Sequence, residues 1–472
     1  MNPIPIPKIV QIATIAIFCI NIVAMRAVAQ VEIVSSIPPG FVAAGTEITL
    51  SCQNEGIMHY TLDGSHPITS SSAKIYNNNS FTVSEDGTLL VKAVVENAGL
   101  FGSVYSFLWL PKEPLVTPFW GLNVSLALNG EPFGYQLSEA DTRNRMLKVL
   151  PLTKWIRTFG TVRNGQEYIN QIAKDAGLRT MIGLYITNDS ANNKAQIAGL
   201  QQILAKEGQH PDLIAVGNET SLLGVNPVTL ASCIDTVREM LLEQDLVIPI
   251  GSVDVASVSW ESSVFEKLDF IGVNIYNGTW DNVPENQMLD AMKQRFTNSV
   301  AAFLSKLVLL SETGTPYYDG NYAIPSGGEQ TASKEKAANY LCGFLDWIKH
   351  GDVPAFYFEA YNEPIKVQES GHSVEGHFGI MDGNMEIHPR YRDCIANHTN
   401  IPPINSIGSM ITLYPNPTTH TIFLETAGAI KVYNMEGVVL QELFGSQVNL
   451  SAYPPGIYLL HLNGKWSKVV KK

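Results

Sequence analysis

Two glutamates close short apolar runs. Glu219 ends Leu213-Ile-Ala-Val-Gly-Asn218-Glu219, and Glu312 lies in Leu307-Val-Leu-Leu-Ser311-Glu312-Thr313-Gly314. Either alone reads as readily as an ion-pair or helix-cap partner. A pair facing one cleft can do more. One carboxyl, kept protonated, gives its proton to a leaving sugar oxygen, while the other, ionised, attacks the anomeric carbon at a separation of about 5–5.5 Å. Like charges that close push the two pKa values apart, and that separation divides the labour. Glu359 closes a further run, Ala355-Phe-Tyr-Phe-Glu359, and is equally open to a structural or a substrate-contacting reading. Trp120, Tyr135, Tyr185, Tyr276, Trp280, Tyr317, Tyr318 and Tyr361 fall near such run ends, where rings stack on sugar faces or simply fill a core. His372 and His377 share a loop but lack the third ligand that a metal site needs.

These residues need elements that bring them to one mouth. Short apolar runs begin at Gly121, Trp155, Arg179, Leu213, Val247, Phe270, Leu307 and Ala355, on average about 33 residues apart. Between them, stretches such as EYINQIAKDAG and LASCIDTVREMLLEQ carry apolar residues at helical spacing. Eight strand–helix units over residues 119–397 predict a (β/α)8 barrel, whose strand C-termini share one face. No glycine-rich phosphate turn follows any strand, which argues against a doubly wound open sheet. Glu219 and Glu312 then close the fourth and seventh strands.

The flanks read differently. Residues 31–112 hold short alternating runs (EITLSC, MHYTLDG, SFTVSEDGTLLVKAVVE, SVYSFLWL) broken by turn residues, as in an immunoglobulin-like sandwich. Asp63-Gly64 fits a turn that needs a glycine at positive φ, and PKEPLVTP (111–118) is a stiff linker. Residues 405–472 are again β-like and predict a small sandwich. Residues 9–25 are almost unbroken apolar residues ahead of Ala27-Val-Ala29, which predicts a signal peptide over 1–29, with an uncleaved anchor as the alternative. The net charge of −13, without a basic run, gives no footprint for nucleic acid or anionic lipid and permits an uncharged partner. After the signal, Cys52, Cys233, Cys342 and Cys394 remain, as disulfides or as buried thiols.

Three resemblances sharpen this. The words IRTFGT (156–161), VGNE (216–219), GVNIYN (272–277), SETGTP (311–316), FEAYNEPIK (358–366) and EGHFGIMD (375–382) resemble, in order, glycoside hydrolase family 17, the β-1,3-glucanases of clan A, and its microbial branch above all. The resemblance implies that Glu219 is the acid/base, Glu312 the nucleophile, and Asn218 a hydrogen-bond partner of the sugar 2-hydroxyl. It places Tyr276 against the nucleophile or the ring, and Glu363, Lys366 and Glu375 in a charged network beside the site. Glu359 joins them as a candidate substrate contact. No cofactor is implied. One position departs: the family usually has Trp after the Gly of SETG, and Thr315 stands here. Tyr60-Thr-Leu-Asp-Gly-Ser-His-Pro67 with LLVKAVV resembles the C-terminal module of chitobiases and hexosaminidases, which implies either carbohydrate contact or a spacer. LYPNPT (413–418), KVYNMEGVVL (431–440) and NLSAYPPGIYLLHL (449–462) resemble the sorting domain of type IX secretion. Together these imply a secreted, retaining β-glucan hydrolase at the surface or exterior of a Bacteroidetes-type cell. Its partners would be β-glucan and the type IX machinery, with no nucleic acid and no span in the mature chain. A β-glucan transglucosylase and a non-catalytic glucan-binding surface protein are the alternatives.

Overall fold

The computed structural model describes residues 33–398 and 413–472, apart from 53–54, 86, 129, 133–134, 282, 325–326, 351–352, 435–438 and 463–464. The expected signal segment lies outside the described residues.

Eight parallel strands close a barrel in sequence order: β1 (Phe119–Asn123), β2 (Thr153–Arg157), β3 (Arg179–Leu184), β4 (Leu213–Asn218), β5 (Ile250–Val255), β6 (Phe270–Asn274), β7 (Leu307–Thr313) and β8 (Ala355–Tyr357). Strands covered on both faces read as continuous apolar runs, and every residue of β1, β6, β7 and β8 is buried. The main displacement from expectation is β5, which starts at Ile250 rather than Val247. Pro249 has no N–H to give the ladder, so its carbonyl only accepts, from Ile214 N at 3.0 Å.

The helices pack outside. Pro227–Leu242 shows why: Asn226 caps it by accepting from Val228 N, Pro227 holds the first position, and Leu230, Ile234, Val237 and Leu241 bury one face. After β7 a hairpin, Gly320–Ala323 with Glu329–Ala332, precedes the helix Lys334–Ile348. A disulfide, Cys342–Cys394, ties that helix to Pro389–Asn397, and Cys233 is buried. The bridge closes a sequence separation of 52 residues, worth about 4 kcal/mol by loop entropy. Reduction should therefore lower the melting temperature by several degrees, and a Cys342→Ser/Cys394→Ser variant should melt at the same lowered temperature with or without reductant.

The N-terminal unit combines a six-stranded, mostly antiparallel sheet with two two-stranded sheets around its own core of Ile33, Leu50, Val91, Ala93, Val95 and Trp109. Gly64 has φ +77°, as the Asp63-Gly64 turn requires. The strand Leu89–Asn97 is buried from Leu90 to Val95, which explains the unalternating LLVKAVV: alternate residues serve two cores. The C-terminal unit is a five-stranded sheet around Ile422, Val432, Tyr458 and Leu460. Among the described residues no helix is long and apolar enough to cross a membrane.

Candidate active site

The strand C-termini open into a cleft of about 620 Å³, within the usual range for a ligand site. Its wall includes Asn218, Glu219, Tyr276, Glu312, Glu363, Lys366 and Glu375. Backbone irregularities sit at both glutamate-bearing strands. The pairing of β4 with β5 shifts between Ala215 and Asn218, and Gly217 (φ +88°) and Glu219 (φ +49°) adopt left-handed backbone. A glutamate rarely holds that conformation, and Glu219 N is anchored there on Val253 O at 2.9 Å. The β6–β7 register shifts too, setting Asn274 opposite Glu312. Such bulges re-aim side chains at strand ends.

Glu312 is 4% exposed, and both its oxygens are engaged. Arg157, from the end of β2, donates to Oε1 at 2.7 Å, and the Tyr276 hydroxyl donates to Oε2 at 2.7 Å. Arg157 is 1% exposed and donates as well to Asn123 Oδ1 (2.8 Å) and Asn218 Oδ1 (2.7 Å). Guanidinium only donates, so it fixes the Asn218 amide with its oxygen inward and its NH2 left for the cleft. Asn274 Nδ2 donates to Glu219 Oε1 at 2.9 Å, and Asn274 Oδ1 accepts from Ser311 Oγ at 2.8 Å. Arg157 and Asn274 lie in the words IRTFGT and GVNIYN but were not expected as site residues. An arginine closing a buried strand was the available signal.

The electrostatics separate the two glutamates. Burial, and then the negative charge of Glu312, push Glu219 up from 4.5 to about 7, against the Asn274 hydrogen bond. Burial and the Glu312 charge hold the Tyr276 phenol well above its ordinary range, so it stays a donor. Near neutrality the cleft thus presents a protonatable carboxyl beside one met by a permanent cation and a phenol, the combination acid and nucleophile roles need.

The charged network is only partly a cleft feature. Lys366 Nζ lies 2.5 Å from Glu363 and 3.0 Å from Glu359. Burial works against the lysine's charge, but the two carboxylates more than offset it and hold its pKa above the ordinary range. Glu363 also accepts from Ser125 Oγ. Glu375 lines the cleft, and burial raises its pKa. Glu359 is placed apart from the cleft wall. It is 0% exposed, absorbed in the Lys366 pair, and Phe358 reaches the cleft at this strand end instead. Of its two readings, this burial favours the structural one over the substrate contact.

Of the candidate aromatics, Tyr185, Tyr276 and Trp280 line the cleft. Trp120 stacks on Trp155 at 5.0 Å in the barrel foot, Tyr317 stacks on His388 at 4.1 Å, and Tyr361 is fully buried with its hydroxyl on Arg145 O. Tyr318 tilts against His377, and Tyr135 stays outside the cleft wall. Among the described residues no group of three His, Cys, Asp or Glu is arranged to hold a metal ion.

Residues 131–379 match the model of the BtgE/BtgC glycoside hydrolase domain. The chain belongs to this glycoside hydrolase family. Residues 37–105 match the chitobiase/beta-hexosaminidase C-terminal domain, and 412–472 the secretion system C-terminal sorting domain. Relatives of the family domain include the glucan endo-1,3-beta-glucosidase btgC of Emericella nidulans, 23% identical over 292 residues, or 55% of this chain and 44% of that protein. Another is the glucan 1,3-beta-glucosidase of Schizosaccharomyces pombe, 28% identical over 254 residues, or 50% of this chain and 75% of that protein. The chain spans 42% of the length of the Aspergillus relatives it matches. Among solved structures, the glycoside hydrolase family 17 beta-1,3-glucanosyltransferase of Rhizomucor miehei is 26% identical, covering 58% of this chain and 96% of that one with a TM-score of 0.49. The endo-laminarinase of Formosa is 18% identical, covering 59% and 87%, also at 0.49.

Proposed function

We propose that the barrel is a retaining hydrolase of β-1,3-glucan, with Glu312 the nucleophile and Glu219 the acid/base. The observation that carries this is the pair of glutamates in one cleft. One is met by Arg157 and Tyr276, and the other is pushed up to about 7 beside it. In the first step a Glu312 oxygen bonds to the anomeric carbon as the glycosidic C–O bond breaks, and the Glu219 proton passes to the departing oxygen. In the second, Glu219 takes a proton from water, whose oxygen displaces Glu312 and restores both groups. The Asn218 NH2 binds the sugar 2-hydroxyl, and Tyr276 and Arg157 hold the nucleophile in line. The named activities of the Emericella and Schizosaccharomyces relatives support the β-1,3 linkage. The matched sorting domain and the signal-like residues 1–29 support export through type IX secretion to the cell surface or exterior.

The test is a product time course on laminarin, pustulan and barley glucan. The reading expects shortened β-1,3 products from laminarin. Cleavage of pustulan alone would overturn the linkage, and products longer than the starting chains would move the assignment to transfer. Trp280 is expected to be a sugar platform: it lines the cleft, braced edge-on by Tyr322 at 6.0 Å and by His372 at 5.5 Å. Trp280→Ala should raise KM for laminarin about tenfold, equivalent to about 1.4 kcal/mol, with kcat changed much less. An unaltered KM would remove it from the substrate path.

A further inference from the structure

The N-terminal module carries a sequence word that the chemistry leaves unused, Tyr60-Thr-Leu-Asp-Gly-Ser-His-Pro67. In the fold this turn lies against the barrel. A Cβ on Gly64 would stand 3.4 Å from Arg238 Nη1, on the barrel helix Pro227–Leu242, and Gly64, Ser65 and Pro67 are buried. The half-exposed Asp63 side chain is engaged within the turn itself. The Asp63 carboxylate accepts from Ser65 N (3.0 Å), Ser65 Oγ (2.5 Å) and Ser72 Oγ (2.5 Å).

Arg238 leads on to a charge shared between the two units. Its guanidinium lies 2.7 Å from Asp269, which is 0% exposed at the start of β6. Asp269 also accepts from Ile250 N within the barrel and from two module residues, Ser106 Oγ at 2.8 Å and Lys92 Nζ at 3.3 Å. Separating the units would strip a buried carboxylate of two partners and leave Lys92 without its own, the costly way to break a buried pair. Apolar contacts run the same way. Leu90, Leu108 and Leu110 of the module belong to the barrel's core rather than to the module's. Phe41 meets Trp120 edge-on at 5.3 Å and Trp155 at 6.3 Å. The linker is pinned as well, with Glu113 2.6 Å from Arg179 and 3.9 Å from Lys154.

We propose that the module is the foundation of the barrel: its YTLDGSHP turn docks on the barrel's own helix rather than on glycan, and module and barrel unfold as one cooperative body. Such docking uses the strand ends opposite the cleft, so it supports the barrel without touching the chemistry.

The test uses the full mature chain. Calorimetry reports unfolding, and hydrogen exchange in the β5 and β6 peptides reports the barrel alone, independently of any activity. The wild type should show both units melting in one transition. Phe41→Ala and Lys92→Met, each confined to the module, should lower that transition by about 2 °C or more and speed exchange in β5 and β6. If Lys92→Met does not fold, Phe41→Ala, at the half-buried rim, carries the test. His66→Ala, at the exposed tip of the turn, should leave retention on laminarin, curdlan and chitin unchanged within twofold. Barrel exchange and melting untouched by Phe41→Ala would overturn the proposal. So would loss of polysaccharide retention in His66→Ala with an unchanged melt.

Discussion

Replacing Glu312 by alanine should lower kcat on laminarin by about 10⁴-fold or more, because the proposed double displacement then lacks its nucleophile. The loss should be chemical rather than a failure of binding, so residual KM should stay within a few-fold. Sodium azide supplies the sharper readout. The anion fits the space the carboxylate vacated, attacks the anomeric carbon of an activated aryl β-glucoside and gives an α-configured glycosyl azide. The alanine variant also strands Arg157 and Tyr276, which both donate to Glu312, and an unpaired buried cation is destabilising. Glu312→Gln keeps an acceptor for one of them and should show the same kinetic loss with a smaller change in stability. Near-normal turnover in either variant would remove Glu312 from the mechanism.

Glu219→Gln should lower kcat/KM on laminarin by about 10³-fold. Aryl glycosides whose leaving group needs no proton should lose far less in the first step. In the wild type, Glu219 is protonated below about pH 7, so activity should fall as pH rises through that value, and the fall should vanish in the variant. The same group makes a stability prediction of definite sign. Its pKa is raised from 4.5 to about 7 on folding, so its contribution is fully present below about 4.5 and lost as pH rises through 7. Carrying that charge at pH 8 costs roughly 2 kcal/mol, allowing for water reaching the cleft. Glu219→Gln should therefore melt higher than wild type at pH 8 and nearly level with it at pH 4. A variant less stable at pH 8 would show that the Glu219 carboxylate is not held against repulsion.

Most of the barrel was legible because its strands are buried on both faces. Runs such as RTMIGL and LVLLSET need no neighbour to be recognised, and β3, β4, β6, β7 and β8 start at their expected residues. The β5 start slipped because an apolar run does not reveal where Pro249 interrupts the ladder. Side-chain roles were harder to read, since they depend on which strand ends adjoin. Arg157 reaches Glu312 across a separation of 155 residues; its place at the end of a buried strand marks it locally, but not the partner it meets. Glu359 shows the converse: it closes an apolar run just as Glu219 does, yet a lysine seven residues on holds it away from the cleft. Lys92 is buried in the middle of its strand, and only the barrel beneath, through Asp269, explains that burial.

The most direct test of the double-displacement assignment is proton NMR of the first product released from laminarihexaose, recorded before mutarotation. A nucleophile and an acid/base working in succession predict that the β-anomer accumulates first and the α-anomer appears only later. An α-anomer formed first would mean inversion, with no covalent intermediate on Glu312, and would contradict the roles assigned to both glutamates.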